Sequence, residues 1–328
     1  MKASSAPRVS GLSDAFAKRK KLISVILLIV VLSIIGELVV GGILTLNQGL
    51  STLKYASYTA MFALCQMIVI AGGGNAIDLS VGYVATLSAI FGVAIMNGAG
   101  GLNFFYAILV AILVGGFFGM INGALVSFFD LSALVVTMSM SSIVQGVINV
   151  YTAGTSISGK PSPILRTITV EETLGIPNIV LFMLALIVIM TLILSKTELG
   201  PVLRGVGENS RTAYLSGANV KLRRFFAFAA SGAIAGLIGL MLAGNMNMAF
   251  KDMGSSYVMP SYAAVVVGGV ALKGGETSYI RVYLGAVFLQ LLSSLFIQLG
   301  GGDALKWFGY GTILYVLLLV YASERRKK

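Results

Sequence analysis

The chain has 328 residues, 57% of them hydrophobic and 11% charged; that is more apolar surface than one soluble core can hide, so a multispan membrane protein is the natural reading. It has no histidine and one cysteine, Cys65, which excludes imidazole-based metal sites, histidine general bases and any disulfide within the chain. A net charge of +11 does not point to nucleic acid here, because the basic residues cluster beside apolar runs.

Residues 1–21 form a polar tail that ends in KRKK, Lys18–Lys21. The apolar run Leu22–Leu46 is too long for the core of a signal peptide, and no small-residue cleavage site closes it. It reads as the first span, with the N-terminus inside. Glu37 interrupts it, and an acid at that depth is expected to face other helices or a wet region. Tyr55–Gly72 is the second span. It runs into GGGNAIDLSVG, Gly72–Gly82, and then a third span to about Ile95. After an outside turn at Gly98–Asn103, the fourth span is Asn103–Phe129, in which Gly115, Gly119 and Gly123 share one face for close helix approach. Asp130 marks an inside turn and Leu131–Tyr151 is the fifth span. Residues 152–177 form a polar extracytoplasmic loop, and Asn178–Ser195 is the sixth span.

Next comes a charged interruption at 196–224, carrying Lys196, Arg204, Arg211, Lys221, Arg223 and Arg224. Basic loops between spans mark the cytoplasmic side. Asn209–Leu215 is helix-compatible with a cap at Asn209, and Gly205, Gly207 and Gly217 punctuate the loop. Such a stretch is either a docking platform for a soluble partner or a solvated loop. Phe225–Met248 is the seventh span, Ala249–Pro260 an outside loop, and Ser261–Leu272 a short eighth span. LKGGETSYIR, Leu272–Arg281, returns the chain to the cytoplasm. Val282–Leu299 and Leu305–Tyr321 are the ninth and tenth spans, and 323–328 is a basic cytoplasmic tail. The expected fold is an all-α polytopic membrane protein. It has about ten transmembrane helices within 22–322 and both termini in the cytoplasm. Most of the 23 basic residues then lie inside; Lys54, Lys160, Arg166, Lys251 and Lys306 are the exceptions.

Three stretches carry a recognisable pattern. The first is Gly73, Gly74, Ile77, Asp78, Leu79, Ser80 and Gly82 of the glycine-led hairpin. The second is Gly207, Glu208, Asn209, Arg211, Ala213, Leu215, Ser216, Gly217 and Val220 of the platform loop. The third is AAVVVGGVALKGGETS, Ala263–Ser278. In this order and spacing they resemble the ribose, xylose and galactose permease family of ABC importers, from Leu44 to the tenth span. Departures are Asn75 and Ala76 between the glycines and Ile77, Glu208 between Gly207 and Asn209, and Tyr214 where an alanine is common. The resemblance implies a ribose-permease type of fold, a second permease subunit (identical or a paralogue) and cytoplasmic ATPase subunits docked on the platform. It also implies an extracytoplasmic solute-binding protein and, as solute, a monosaccharide such as ribose.

Read without the resemblance, the glycines permit a helix break at membrane depth, and Asp78 and Ser80 cap the next helix or line a gate, with capping favoured. Polar stripes recur at helical spacing: Ser139, Ser142, Gln145 and Asn149 in the fifth span, and Gln290, Ser294 and Gln298 in the ninth. They supply either a hydroxyl- and amide-lined path for a polar solute or hydrogen bonds between helices. The chain has no G-x-x-x-x-G-K-[ST] loop, so ATP and its magnesium belong to a partner and no cofactor, metal or catalytic residue is expected here. Lipid is the expected surround, and nucleic acid is not a partner. The rivals are an ion-driven secondary transporter and an intramembrane enzyme, and the scarcity of buried acids and bases speaks against the enzyme.

Overall fold

A computed structural model describes residues 10–74, 76–153, 160–270, 274–275 and 277–326. The end of each tail (1–9 and 327–328), the inserted Asn75, part of the expected extracytoplasmic loop (154–159), Ala271, Leu272, Lys273 and Glu276 lie outside the described residues.

Helix α1, Ser10–Val39, starts inside the expected tail and stops before the expected end of the first span. The reason is local. Gly41 and Gly42 take positive φ, and the Glu37 carboxylate accepts the backbone N–H groups of Gly42 and Leu44 at 3.2 and 2.8 Å. Glu37 therefore closes a turn at the helix end rather than facing a neighbouring helix. Thr45 caps α2, Leu46–Ala71, by accepting the Gln48 N–H, so residues expected in a loop before Tyr55 form the first turns of this helix. Nearly every α2 side chain from Ala56 to Ala71 is buried, which makes α2 the axis of the bundle, flanked by α10, α11 and α12.

The next elements are α3 (Val81–Met96), α4 (Leu102–Ser127) and α5 (Ala133–Tyr151). A short helix α6 (Pro163–Thr169) and a two-residue hairpin, β1 (Glu172–Thr173) paired antiparallel with β2 (Ile176–Pro177), shape the expected outer loop. Then come α7 (Asn178–Lys196), α8 (Leu199–Glu208), α9 (Ser210–Leu215) and α10 (Val220–Met246). A 3₁₀ turn (Ser255–Tyr257) leads into α11 (Val258–Val267), followed by α12 (Tyr279–Gln298) and α13 (Gly302–Arg326). Among the described residues seven helices are long and apolar enough to cross a membrane: α2, α4, α5, α7, α10, α12 and the Arg19–Val39 part of α1.

The glycine face of α4 meets α10. A Cβ at Gly115 would lie 2.2 Å from the Gly232 carbonyl oxygen, and one at Gly119 would lie 2.4 Å from that of Phe228. No side chain fits there, so the two backbones pack in direct contact along the crossing.

Two helices are short. Helix α3 spans about 24 Å and the Ser255–Val267 segment about 20 Å at 1.5 Å per residue, both less than a hydrocarbon core of about 30 Å. Each is preceded by non-helical backbone that makes up the depth, and the two touch. A Cβ on Gly82 would lie 2.6 Å from the Gly254 carbonyl oxygen, and the Gly254 N–H donates to Thr86 Oγ1 at 3.1 Å. Gly82 is in the first turn of α3, about 21 Å from its far end at Met96. The segment 249–254, expected as an outside loop, therefore descends into the bundle. The end of α11 is closed by Arg281, expected in a cytoplasmic loop but buried in the first turn of α12. Its Nη1 donates to the Gly269 carbonyl at 3.5 Å and supplies a donor to a helix end.

Candidate coupling platform and polar pathway

The platform is built from caps. Asn209 separates α8 from α9, and its Oδ1 accepts the N–H groups of Arg211 and Thr212 at 3.1 and 3.0 Å. At the other end Gly217 takes φ +89°, its N–H reaches the Tyr214 carbonyl, and the Ala218 N–H reaches the Ala213 carbonyl at 3.0 Å. The Ser216 N–H and hydroxyl both donate to the Thr212 carbonyl. Asn219 then caps α10, whose first residue is Val220. This is a six-residue helix closed at both ends by sequence-encoded stops. No residue of α9 is buried; Tyr214 is 70% and Leu215 77% exposed. Helix α8 was not anticipated in the sequence. Gly205 and Gly207, read there as breaks, both lie within it.

Gly207 is a contact point. A Cβ there would lie 2.2 Å from both the Ala71 carbonyl oxygen and the Gly275 nitrogen. A Cβ on Gly73 would lie 2.9 Å from the Gly207 Cα, and one on Gly274 would lie 2.7 Å from the Gly73 Cα. The Gly275 N–H donates to the Ala71 carbonyl at 3.3 Å, and Glu208 packs over Gly275. One backbone from each of the three sequence signatures therefore meets at a single junction between the platform and the axis helix α2. Arg224 holds the same junction from α10: its Nε donates to the Gly72 carbonyl at 3.1 Å and its guanidinium lies over Gly74. Lys221 pairs with Asp130 of the α4–α5 turn at 3.2 Å, on the exposed side.

From the junction the chain runs through Ile77–Ser80 as non-helical backbone inside the bundle. Such backbone must find partners within the protein. Gln66 of α2 does this twice, donating to the Asp78 carbonyl at 2.7 Å and accepting the Asp78 N–H at 3.2 Å. Thr137 and Ser141 of α5 donate to the carbonyls of Ile77 and Leu79 at 3.2 and 3.0 Å. The buried Asp78 carboxylate accepts the Ser80 N–H at 3.0 Å and its hydroxyl at 2.6 Å, and Asn122 of α4 donates to that hydroxyl at 2.8 Å. Asp78 thus fixes the turn before α3 through Ser80, whereas the Ser80 side chain, expected to cap α3, makes no cap hydrogen bond to it. Gln66, Asn122, Thr137 and Ser141 were missed in the sequence, because a lone polar residue on an apolar helix carries no sign of the backbone it will serve.

The polar stripes separate. Helix α5 packs on α3 and α4, whereas α12 packs on α1, α2, α11 and α13. The two stripes therefore lie on helices that pack against different neighbours. On α12, Gln290 and Ser294 are half-buried and Gln298 is exposed at the helix end. On α5, Ser142 and Asn149 are exposed, and the Ser142 hydroxyl donates back to the Met138 carbonyl at 3.4 Å. Gln145 is the joining residue: its Nε2 donates to Tyr83 Oη and to Asp252 Oδ1, each at 3.4 Å. Asp252 falls within 249–260, the expected outside loop. The available signal was the shortness of the eighth span, which obliges the preceding residues to descend.

The chain is similar to known import proteins. The family model described as branched-chain amino acid transport system / permease component matches residues 49–322. The ribose import permease protein of Haemophilus influenzae is 29% identical over 280 residues, 84% of each chain. The autoinducer 2 import system permease protein of Shigella flexneri is 29% identical over 248 residues, 76% of this chain and 72% of that one. Its counterpart in Yersinia enterocolitica is 30% identical over 250 residues, 74% of this chain and 69% of that one. No solved structure matches. The apolar helices and this kinship make the chain a multi-pass protein of a bacterial inner membrane. A family match over most of the chain, joined to three signatures that converge on one backbone junction, shows that it belongs to the branched-chain amino acid transport system permease-component family and is the permease subunit of an ABC importer.

Proposed function

We propose that this permease moves a small polyhydroxylated solute, most simply a monosaccharide such as ribose, with energy from ATP hydrolysed in a separate cytoplasmic ATPase. The observation that carries the coupling is α9: a capped helix presenting Tyr214 and Leu215 to solvent, one helix away from the glycine junction. An exposed aromatic–aliphatic pair on a rigid element is what a partner's cleft takes up. A push on α9 passes through α8 to Gly207 and from there to Gly73 and Gly274. Because those backbones touch without intervening side chains, displacement is transmitted to α2 and to the start of α3 rather than absorbed by rotamers.

In this reading α3 and the Ser255–Val267 segment count as short spans and α13 as the last, which gives ten spans and places both termini with the platform in the cytoplasm. A second permease, identical or paralogous, completes the route, and an extracytoplasmic binding protein delivers the solute. The ribose and autoinducer 2 permeases among the relatives support the solute class. The test is uptake of labelled D-ribose into proteoliposomes holding the permease, its ATPase and its binding protein. Uptake should require ATP and survive dissipation of proton and sodium gradients. Uptake without the ATPase that collapses with an ion gradient would overturn the reading.

A further inference from the structure

We propose that Asp252, braced by Gln145 and Tyr83, is a solute-contact group that accepts hydrogen bonds from the hydroxyls of the passing solute. The inference rests on the import of a polyhydroxylated solute and names the residue that meets it inside the membrane.

Depth is the first argument. Asp130 and Lys221 mark the platform end of α5, and Gln145 lies about 18 Å along that helix from Ala133, in an element about 28 Å long. Gln145 reaches Asp252 at 3.4 Å, and two residues further on Gly254 is locked against Gly82 near the deep end of α3. Asp252 therefore sits well inside the span of the bundle, not at its rim.

Exposure is the second. Asp252 is exposed, and its Oδ2 has no hydrogen-bond partner among the described residues; Gln145 occupies only Oδ1. A carboxylate with one oxygen left free at this depth is strongly unfavourable against lipid, so the face it shares with Gln145 and Tyr83 is turned away from the lipid. Backbone geometry is the third. Asp252 holds φ +68°, a conformation that non-glycine residues rarely adopt, and Ser255 closes the turn with its N–H and hydroxyl on the Asp252 carbonyl at 3.1 and 2.7 Å. The turn fixes the backbone that carries the carboxylate. A carboxylate oxygen accepts hydroxyl donors, the carboxamide and phenol beside it offer both donors and acceptors, and the exposed Asn149 lies one turn further along α5. Weak, repeated hydroxyl contacts let a sugar shed water without being trapped.

Two measurements on the assembled transporter test this. In a Cys65→Ser background, Asp252→Cys should react with a small membrane-impermeant thiosulfonate, and its rate should change with nucleotide state. No reaction in any state places the residue against lipid or protein and overturns the proposal, whatever the solute is. In proteoliposomes with saturating loaded binding protein, Asp252→Asn should deliver about tenfold less D-ribose per ATP hydrolysed, a size set by one weakened hydrogen bond, and Asp252→Glu should restore part of it. The ratio normalises for loss of folded transporter. An unchanged ratio in a reactive, wet site shows that Asp252 does not touch the solute. Failure of the wild type to import D-ribose instead removes the choice of solute, and the labelling result still decides whether the site is wet.

Discussion

Single residues in this protein divide by whether their neighbours can move. Gly207 and Gly205 sit two positions apart in α8, yet an added methyl meets fixed backbone at 2.2 Å at the first and nothing within 4 Å at the second. Gly207→Ala should therefore displace the junction, lower the melting temperature of the purified permease and weaken ATP-coupled uptake, while leaving membrane insertion intact. Gly205→Ala should be neutral or stabilising by about 1 kcal/mol, the ordinary gain from alanine in a helix. Equal effects at the two positions, read by thermal unfolding in detergent, would refute the packing argument. Glu37 gives the opposite expectation. Its carboxylate closes the exposed turn after α1, and glutamine still offers an acceptor oxygen to Leu44. Glu37→Gln should keep ATP-driven uptake within about tenfold of normal, about 1.4 kcal/mol in the barrier. Abolished uptake in a normally inserted variant would make Glu37 an energy-coupling acid.

Among the elements, α9 is the most exposed to test. Gly217 holds φ +89° with open space around it, so Gly217→Val suffers from conformation rather than collision, by about 1 kcal/mol or more. The substitution should redirect Ala218–Val220 and break the stimulation of ATP hydrolysis by loaded binding protein. Tyr214→Ser with Leu215→Ser should leave folding unchanged, because both side chains are exposed, and abolish capture of the ATPase in a pull-down. Charge reversal at Arg211 should do less, and added salt should shrink its effect, since an exposed charge is screened within about 10 Å at 0.1 M salt. Retained capture by the double serine variant would reduce α9 to a solvated linker. The caps of this helix were legible in the sequence, because Asn209 and Gly217 act on backbone groups within a few residues. Helix α8 was not, because glycines at 205 and 207 read as breaks until tertiary contacts outweigh propensity.

For the whole molecule the decisive issue is sidedness. Leu174, at the tip of the small hairpin, is 97% exposed, and Tyr214 is its counterpart on the platform. With Cys65 fully buried, a cysteine at 174 should react with an impermeant maleimide only from the extracytoplasmic side, and one at 214 only from the cytoplasmic side. The reverse pattern would invert the orientation drawn from the basic residues. Sequence alone determined the membrane class, the long spans, the expected orientation and the short capped helix. Each follows from apolar run length, charge asymmetry or local hydrogen bonding, which are properties of neighbours along the chain. Tertiary structure decided that Gly73, Gly207 and Gly274 share one point, that the polar stripes of α5 and α12 part company, and that Asp252 descends to meet Gln145. Those facts depend on contacts between residues far apart in the chain, made through missing side chains or single polar atoms, and such contacts leave no periodic trace in a single sequence.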